Sequence, residues 1–234
     1  MVFYSLERDD RYPDVWYNSK VKHFKKVVCP QYNGHQRGAR DEGAGLSVEV
    51  KKKKIGDLVS TVYSDWLITD RVAALFKGHG LTGYTLKPVD VCNMTLPYKL
   101  WELVATGKAD YDPACGIKEI YRCEYCGVIC RRHYSDSTGI MIDGASWDGN
   151  DFFIIEPYPK FIFTTEKVKE LIEGERLKGG ALILSTELRH GGNMMLYDED
   201  YTKEQWKEYF ERDITPLKDE LKRKARESRE RWPL

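Results

Sequence analysis

The sequence predicts an α+β protein built from two related strand-helix-strand halves. These flank a central cysteine segment of zinc-ribbon type, and a C-terminal helix follows. Three observations predict this. A 21-residue stretch recurs without a gap at an offset of 96 residues, a CxxCG step lies between the two copies, and helix start signals appear beyond residue 200.

The recurrence sets the halves. "TDRVAALFKGHGLTGYTLKPV" (Thr69 to Val89) aligns with "TEKVKELIEGERLKGGALILS" (Thr165 to Ser185), with seven identical positions: Thr69/Thr165, Val72/Val168, Leu75/Leu171, Gly78/Gly174, Leu81/Leu177, Gly83/Gly179 and Leu86/Leu182. Each Thr precedes an acidic residue and suits an N-cap, where its hydroxyl accepts from free N–H groups and the carboxylate complements the positive helix end. Apolar residues at i, i+3 and i+4 (Val72, Leu75, Phe76; Val168, Leu171, Ile172) mark one face of a short helix. Gly78 and Gly174 are the expected stops, because glycine enters the left-handed region at low cost. A Leu-x-Gly turn and an apolar run then read as a strand, and "DWLI" and "KFIFT" read as the strands that feed the helices. The chain is expected to form one domain, 1–234, with halves at about 21–92 and 117–190.

The central segment "YRCEYCGVICRRH" places Cys123 and Cys126 on a tight turn closed by Gly127. Two thiolates so spaced can hold one side of a metal ion, and a tetrahedral site needs two further ligands. The best source is "VVCPQYNGH", which starts like a second knuckle but has Tyr32 where its second cysteine would stand. His35 then completes a set of Cys29, His35, Cys123 and Cys126 around structural zinc. Two alternatives stand beside this one: a local site using Cys130 and His133, and a former ribbon held by packing alone. The helical C-terminus, 202–231, opens with a capping box of Thr202 and Gln205 and an apolar face of Trp206, Tyr209 and Phe210; Thr215 and Pro216 start a second segment.

Composition narrows the function. With 234 residues, 41% hydrophobic and 12% aromatic, the chain can bury a substantial core. Its 37 basic and 37 acidic residues cancel, so no global field draws nucleic acid or an anionic membrane. Neither a run of about 18 apolar residues nor a signal-peptide layout is present, so the expectation is a cytoplasmic protein without a membrane partner. P-loop, GxGxxG, HExxH and GxSxG patterns are absent, and Cys130 with His133 is the one close nucleophile-base pair, so no enzyme is expected. The lysines at 51–54 and the basic end "KRKARESRER" suit a solvated edge and a solvated helix end; the alternative function they offer is zinc-ribbon-like nucleic-acid binding.

Taken in series, "FYSLERD", the half-knuckle at Cys29 and Pro30, the CxxCG at Cys123 and Cys126, "WDGNDFF" and "FIFTTEKVKELIEGERLKGGALI" resemble the double-CXXCG motif proteins, over most of the chain to about residue 190. The recurring element is also similar to the repeat of a second group of immunity proteins. The resemblance implies a cytoplasmic immunity protein of a polymorphic toxin system, which binds and neutralises a cognate protein toxin by covering its active or substrate site. Of the family's ligand positions, Cys29, Cys123 and Cys126 carry over. Residues expected to meet the toxin are Trp147, Asp148 and Asp151 in the turn-rich loop, and Asp198, Glu199 and Asp200 in the acidic stretch before the last helices.

Overall fold

The computed structural model describes residues 1–13, 15–41, 45–133, 139–155, 158–188 and 201–231. In chain order the elements are β1 (Phe3–Arg8), β2 (Trp16–Tyr17), β3 (Phe24–Val28), β4 (Gln36–Arg40), β5 (Leu46–Glu49), β6 (Leu58–Ser60), β7 (Trp66–Thr69), α1 (Asp70–Gly78), β8 (Tyr84–Val91), β9 (Leu100–Ala105) and β10 (Gly107–Tyr111). Then come β11 (Ile117–Arg122), β12 (Ile129–His133), β13 (Ile142–Asp143), β14 (Phe152–Ile155), β15 (Tyr158–Thr165), α2 (Glu166–Gly174), β16 (Gly180–Leu184), α3 (Lys203–Glu211) and α4 (Thr215–Arg231). The α+β class follows directly. Where the sequence suggests one domain, the chain divides into two compact units: Met1–His23, Asp41–Ile117 and His133–Asn193 form the first, and Phe24–Arg40, Lys118–Arg132 and Met194–Leu234 form the second.

The first unit holds two six-stranded sheets, in the orders β13-β10-β14-β15-β1-β16 and β2-β5-β8-β9-β7-β6. Its central core joins α1 and α2 to one face of each sheet through residues such as Leu6, Trp66, Phe76, Leu103, Phe152 and Ile172. Each helix is nine residues long and sits between two strands that a third strand separates: β9 lies between β7 and β8, and β1 between β15 and β16. Registers match as well. Trp101 faces Ile68 and Pro88, and Tyr4 faces Thr164 and Leu184, each partner 96 residues further on.

Contacts between the two elements recur reciprocally. Leu58 N–H donates to the Lys178 carbonyl (2.9 Å) and Phe152 N–H to that of Thr82 (3.0 Å). The Asp57 carboxylate accepts from Lys178 N–H (3.0 Å), and that of Asp151 from Thr82 N–H (2.9 Å). Within each element, Arg71 pairs with Asp57 (3.2 Å) as Lys167 pairs with Asp151 (3.7 Å). Gly83 and Gly179 have positive φ (79° and 95°), and a Cβ on either would lie 2.2 Å from the Phe152 oxygen or 1.9 Å from the Leu58 oxygen. Only glycine fits both demands. These contacts fall within 57–107 and within 151–188 together with 3–9, a different division from 21–92 and 117–190.

Two local expectations are corrected. Thr69 caps α1 by accepting from Val72 N–H, but the Thr165 hydroxyl donates instead to Asp151 (2.9 Å) and leaves α2 without a side-chain cap. Nor do Gly78 and Gly174 turn left-handed. The helices do end at these glycines, but it is Gly80 (φ 60°) and Arg176 (φ 52°), two residues later, that take that conformation. Leu81 N–H then returns to the Phe76 carbonyl (3.0 Å) and Leu177 N–H to that of Ile172 (2.9 Å), closing the same C-terminal motif with a buried leucine.

Candidate metal centre

In the second unit, two short hairpins present the cysteines. The β3-β4 hairpin pairs Val28 with Gln36, so Cys29 and His35 stand at the two ends of its connecting loop. Cys29 N–H donates to the His35 carbonyl (3.0 Å), and the Gln31 and Tyr32 N–H groups point at Cys29 Sγ (3.4 and 3.3 Å). The loop thus folds as a knuckle around one thiol although Tyr32 replaces the second. Between β11 and β12, Cys123 N–H donates to the Val128 carbonyl (2.9 Å), Gly127 N–H returns to that of Cys123 (3.0 Å), and Gly127 has φ 67°. That left-handed glycine lets the backbone curl under Cys123 and Cys126.

The four groups converge. One ligand atom from each of Cys29, His35, Cys123 and Cys126 lies within 4.8 Å of all the others. Cys29 Sγ is 3.9 Å from Cys123 Sγ, and Cys126 Sγ is 3.8 Å from His35 Nδ1. A tetrahedron with zinc-sulfur bonds of about 2.3 Å has edges of about 3.8 Å, and these two separations match that spacing. Cys29 and Cys123 are buried, and the other two are half-buried. His35 Nδ1 is the ring nitrogen that faces Cys126, and the other, Nε2, is buried without a hydrogen-bond partner among the described residues. The donor set fits a metal.

Electrostatics prepares one thiolate. Burial pushes the Cys123 thiol up, but N–H groups of Cys126 and Tyr125 and the side chains of Cys126 and His35 more than offset it, holding the thiol down at about 6. Burial raises Cys126, and sharing the site with Cys123 and Cys29 adds to that. An aromatic shell packs behind: Tyr121 stacks on Phe210 at 4.7 Å, Phe210 on Trp206 at 5.8 Å, and His35 meets Tyr121 and Tyr32 edge-on at 5.5 and 5.3 Å. Burial, with a hydrogen bond to Glu211, pushes the Tyr32 phenol up to about 12, so it stays a neutral member of this shell. The apolar face of α3 expected from Trp206 and Phe210 is what supplies the shell.

Other expected residues lie elsewhere. Cys130 is outside the cluster among the described residues, and burial raises its thiol to about 11, against a nucleophile's role; the side chain of His133 is outside the described residues. Trp147 packs edge-on against Phe3 (5.4 Å) and donates to the Asn150 carbonyl (2.9 Å). Asp148 accepts from Lys108 and Asn150 N–H (2.8 and 3.1 Å), and Asp151 is buried between Thr82, Thr165 and Lys167. Their polar groups bond within the chain; Asp151 is buried, Trp147 half-buried and Asp148 exposed. Asp198, Glu199 and Asp200 lie outside the described residues. Sequence reading missed Asp57 and Asp151 as a matched pair, because they precede the aligned stretch and their offset differs by two. Comparison with protein-family models finds no match, and neither does comparison with curated proteins.

Proposed function

We propose that the protein is a non-enzymatic, cytoplasmic immunity protein that binds and neutralises a cognate protein toxin. Its first unit is an internally duplicated scaffold, in which β1 fills the place in one half that β9 fills in the other. Its second unit is a zinc ribbon in which His35 replaces the missing cysteine. The observation that carries this reading is the closed four-residue donor set, brought together from two knuckles 94 residues apart. Four protein ligands leave a tetrahedral ion no open position, which suits a structural metal and leaves recognition to the surface. The inhibitor role itself rests on the ordered series of motifs in the sequence.

Nucleic-acid binding is less well supported. Lys222, Arg223 and Lys224 on α4 are paired within the helix to Asp219, Glu227 and Glu220 (3.5, 2.7 and 2.7 Å), and Lys51 lies over the Trp16 ring. The direct test is to ask whether the adjacent upstream gene encodes a protein with a toxin-like C-terminal domain and to co-express the two. Growth should be rescued and the two proteins should co-purify. A toxic neighbour that this protein neither binds nor silences would sink the proposal.

A further inference from the structure

Numbered along the chain, each of the first eight strands has a counterpart eight strands on. The pairing of β2 with β5 (Trp16 facing Glu49, Tyr17 facing Val48) recurs in β10 and β13 (Asp110 facing Asp143, Tyr111 facing Ile142), every residue 94 positions further on. Val15 bridges Thr61 in parallel, and Ala109 pairs with Ile155 in parallel at the same offset. Asn18 N–H donates to the Ser47 carbonyl (2.9 Å) as Asp112 N–H does to that of Met141 (2.8 Å). Leu58 faces Ile68 and Val59 faces Leu67, as Phe152 faces Thr164 and Phe153 faces Phe163.

The two hairpins obey the same rule. β3 and β4 stand between β2 and β5 in the chain, and β11 and β12 between β10 and β13. Cys29 and Cys123 are 94 residues apart, as are Tyr32 and Cys126, and the sulfur of each first cysteine accepts from the N–H groups two and three residues on. The halves in sequence are therefore β1 to β8 with α1, and β9 to β16 with α2. Strand pairings stay within a half with one exception among the described residues. β1 pairs antiparallel with β15 and β16, and β9 pairs antiparallel with β7 and β8.

We propose that the two halves are reciprocally strand-exchanged, as two domain-swapped copies are, but joined in one chain through residues 92–99. The surface by which each half holds the other is the slot between its last two strands, β7 and β8 or β15 and β16. The partner that fits the slot is the extended first strand of the other half. β1 brings Phe3, Tyr4 and Leu6 to its slot and β9 brings Leu100 and Leu103, all buried. Without the guest strand, two facing strand edges would lose their backbone hydrogen bonds and the central core would lose Leu6 or Leu103, so neither half folds alone. The inference rests on the duplicated-scaffold part of the reading above and is independent of toxin binding.

The test uses the full-length chain with a protease recognition sequence inserted between Thr95 and Leu96, in the connection from β8 to β9, where Thr95 is exposed. The folded chain is cut there with metal chelated, so that the cysteine cluster cannot hold the pieces together. The cut chain should run on gel filtration as one particle of the uncut size. Each tenfold dilution should lower its melting temperature by about 3 °C and leave that of the uncut chain unchanged, because loss of either piece unfolds both sheets. A second cut, after Arg11 in the exposed turn from β1 to β2, gives an independent reading. The β1 piece should stay with the rest of the chain, and melting should again depend on concentration. Two folded halves that separate on gel filtration, a β1 piece that leaves a folded remainder behind, or a cut chain whose melting ignores dilution would overturn the inference. Toxin rescue is scored with the uncut chain, so its failure is read separately.

Discussion

Tyr32 and His35 divide between them the work of one cysteine. The Tyr32 N–H still bonds to Cys29 Sγ as a knuckle's would, while the fourth atom of the cluster that could hold a metal comes from His35 three residues later. Removal of His35 should therefore cost the metal, and His35→Cys should keep it. Metal analysis of purified protein checks this: one zinc per chain in the parent and in His35→Cys, and a clear loss in His35→Ala and Cys123→Ser. Cys130→Ser should hold its zinc, because Cys130 lies outside the cluster; loss there would favour the local site. A second residue-scale effect concerns Glu7, whose carboxyl burial raises above the usual range, although Ser5 Oγ donates to it (2.6 Å). A folded-state pKa above the unfolded one means that the folded chain binds more protons between the two values, so stability falls as pH rises through them. Glu7→Gln keeps the Ser5 bond and removes that loss. It should melt higher than the parent at pH 7 and no higher at pH 4, in paired thermal scans. The ligand cluster was legible in the sequence because each half-knuckle has a short local spacing. Asp57 and Asp151 were not, since their meaning lies in backbone partners 121 and 69 residues away.

At the scale of elements, the 3.6-residue periodicity placed both helices correctly, and the buried residues Val72, Phe76, Val168, Leu171 and Ile172 lie on the expected faces. Helix ends were less legible. A glycine inside the last turn reads like a stop, yet which residue turns left-handed depends on where the following leucine is buried, and Leu81 and Leu177 set that two residues on. The two ends then differ by one side chain: Gly80 in one element and Arg176 in the other. A non-glycine residue in the left-handed region carries about 1–2 kcal/mol of strain. Arg176→Gly should relieve part of it, against the greater freedom of glycine in the unfolded chain. The expected net gain is about 0.5–1 kcal/mol in denaturant unfolding. Gly80→Ala should lose a similar amount, although a Cβ there meets nothing within 4 Å, so a loss would be assigned to backbone conformation and not to a clash. The insertion of β1 between β15 and β16 was not legible at all. Nothing in local periodicity says which distant strand fills a gap; only the register of Tyr4 with Thr164 and Leu184 does.

The whole molecule joins two units with different sources of stability. The first buries a large apolar core, including Phe76, Phe152, Phe153 and Phe163, each fully buried. Among its described residues, the second has four β-strands in two hairpins, two helices and a small aromatic cluster, of which Trp206 and Phe210 are the largest buried members. A unit with so small a core would gain most from a cross-link, and a metal ion held across Cys29, His35, Cys123 and Cys126 would tie hairpins that are far apart in sequence. Because binding free energy is then folding free energy, removing the ion should act on one unit and spare the other. Calorimetry of the zinc-loaded chain should resolve a transition that moves strongly downward on chelation or in Cys123→Ser, and another that stays within a few degrees. Phe76→Ala should do the reverse, lowering the second transition by the equivalent of about 3–5 kcal/mol while zinc content is unchanged. A single transition that shifts as one in both variants would mean that the two units unfold together, and the ribbon would then be a clasp for the whole chain and not a separately stabilised unit.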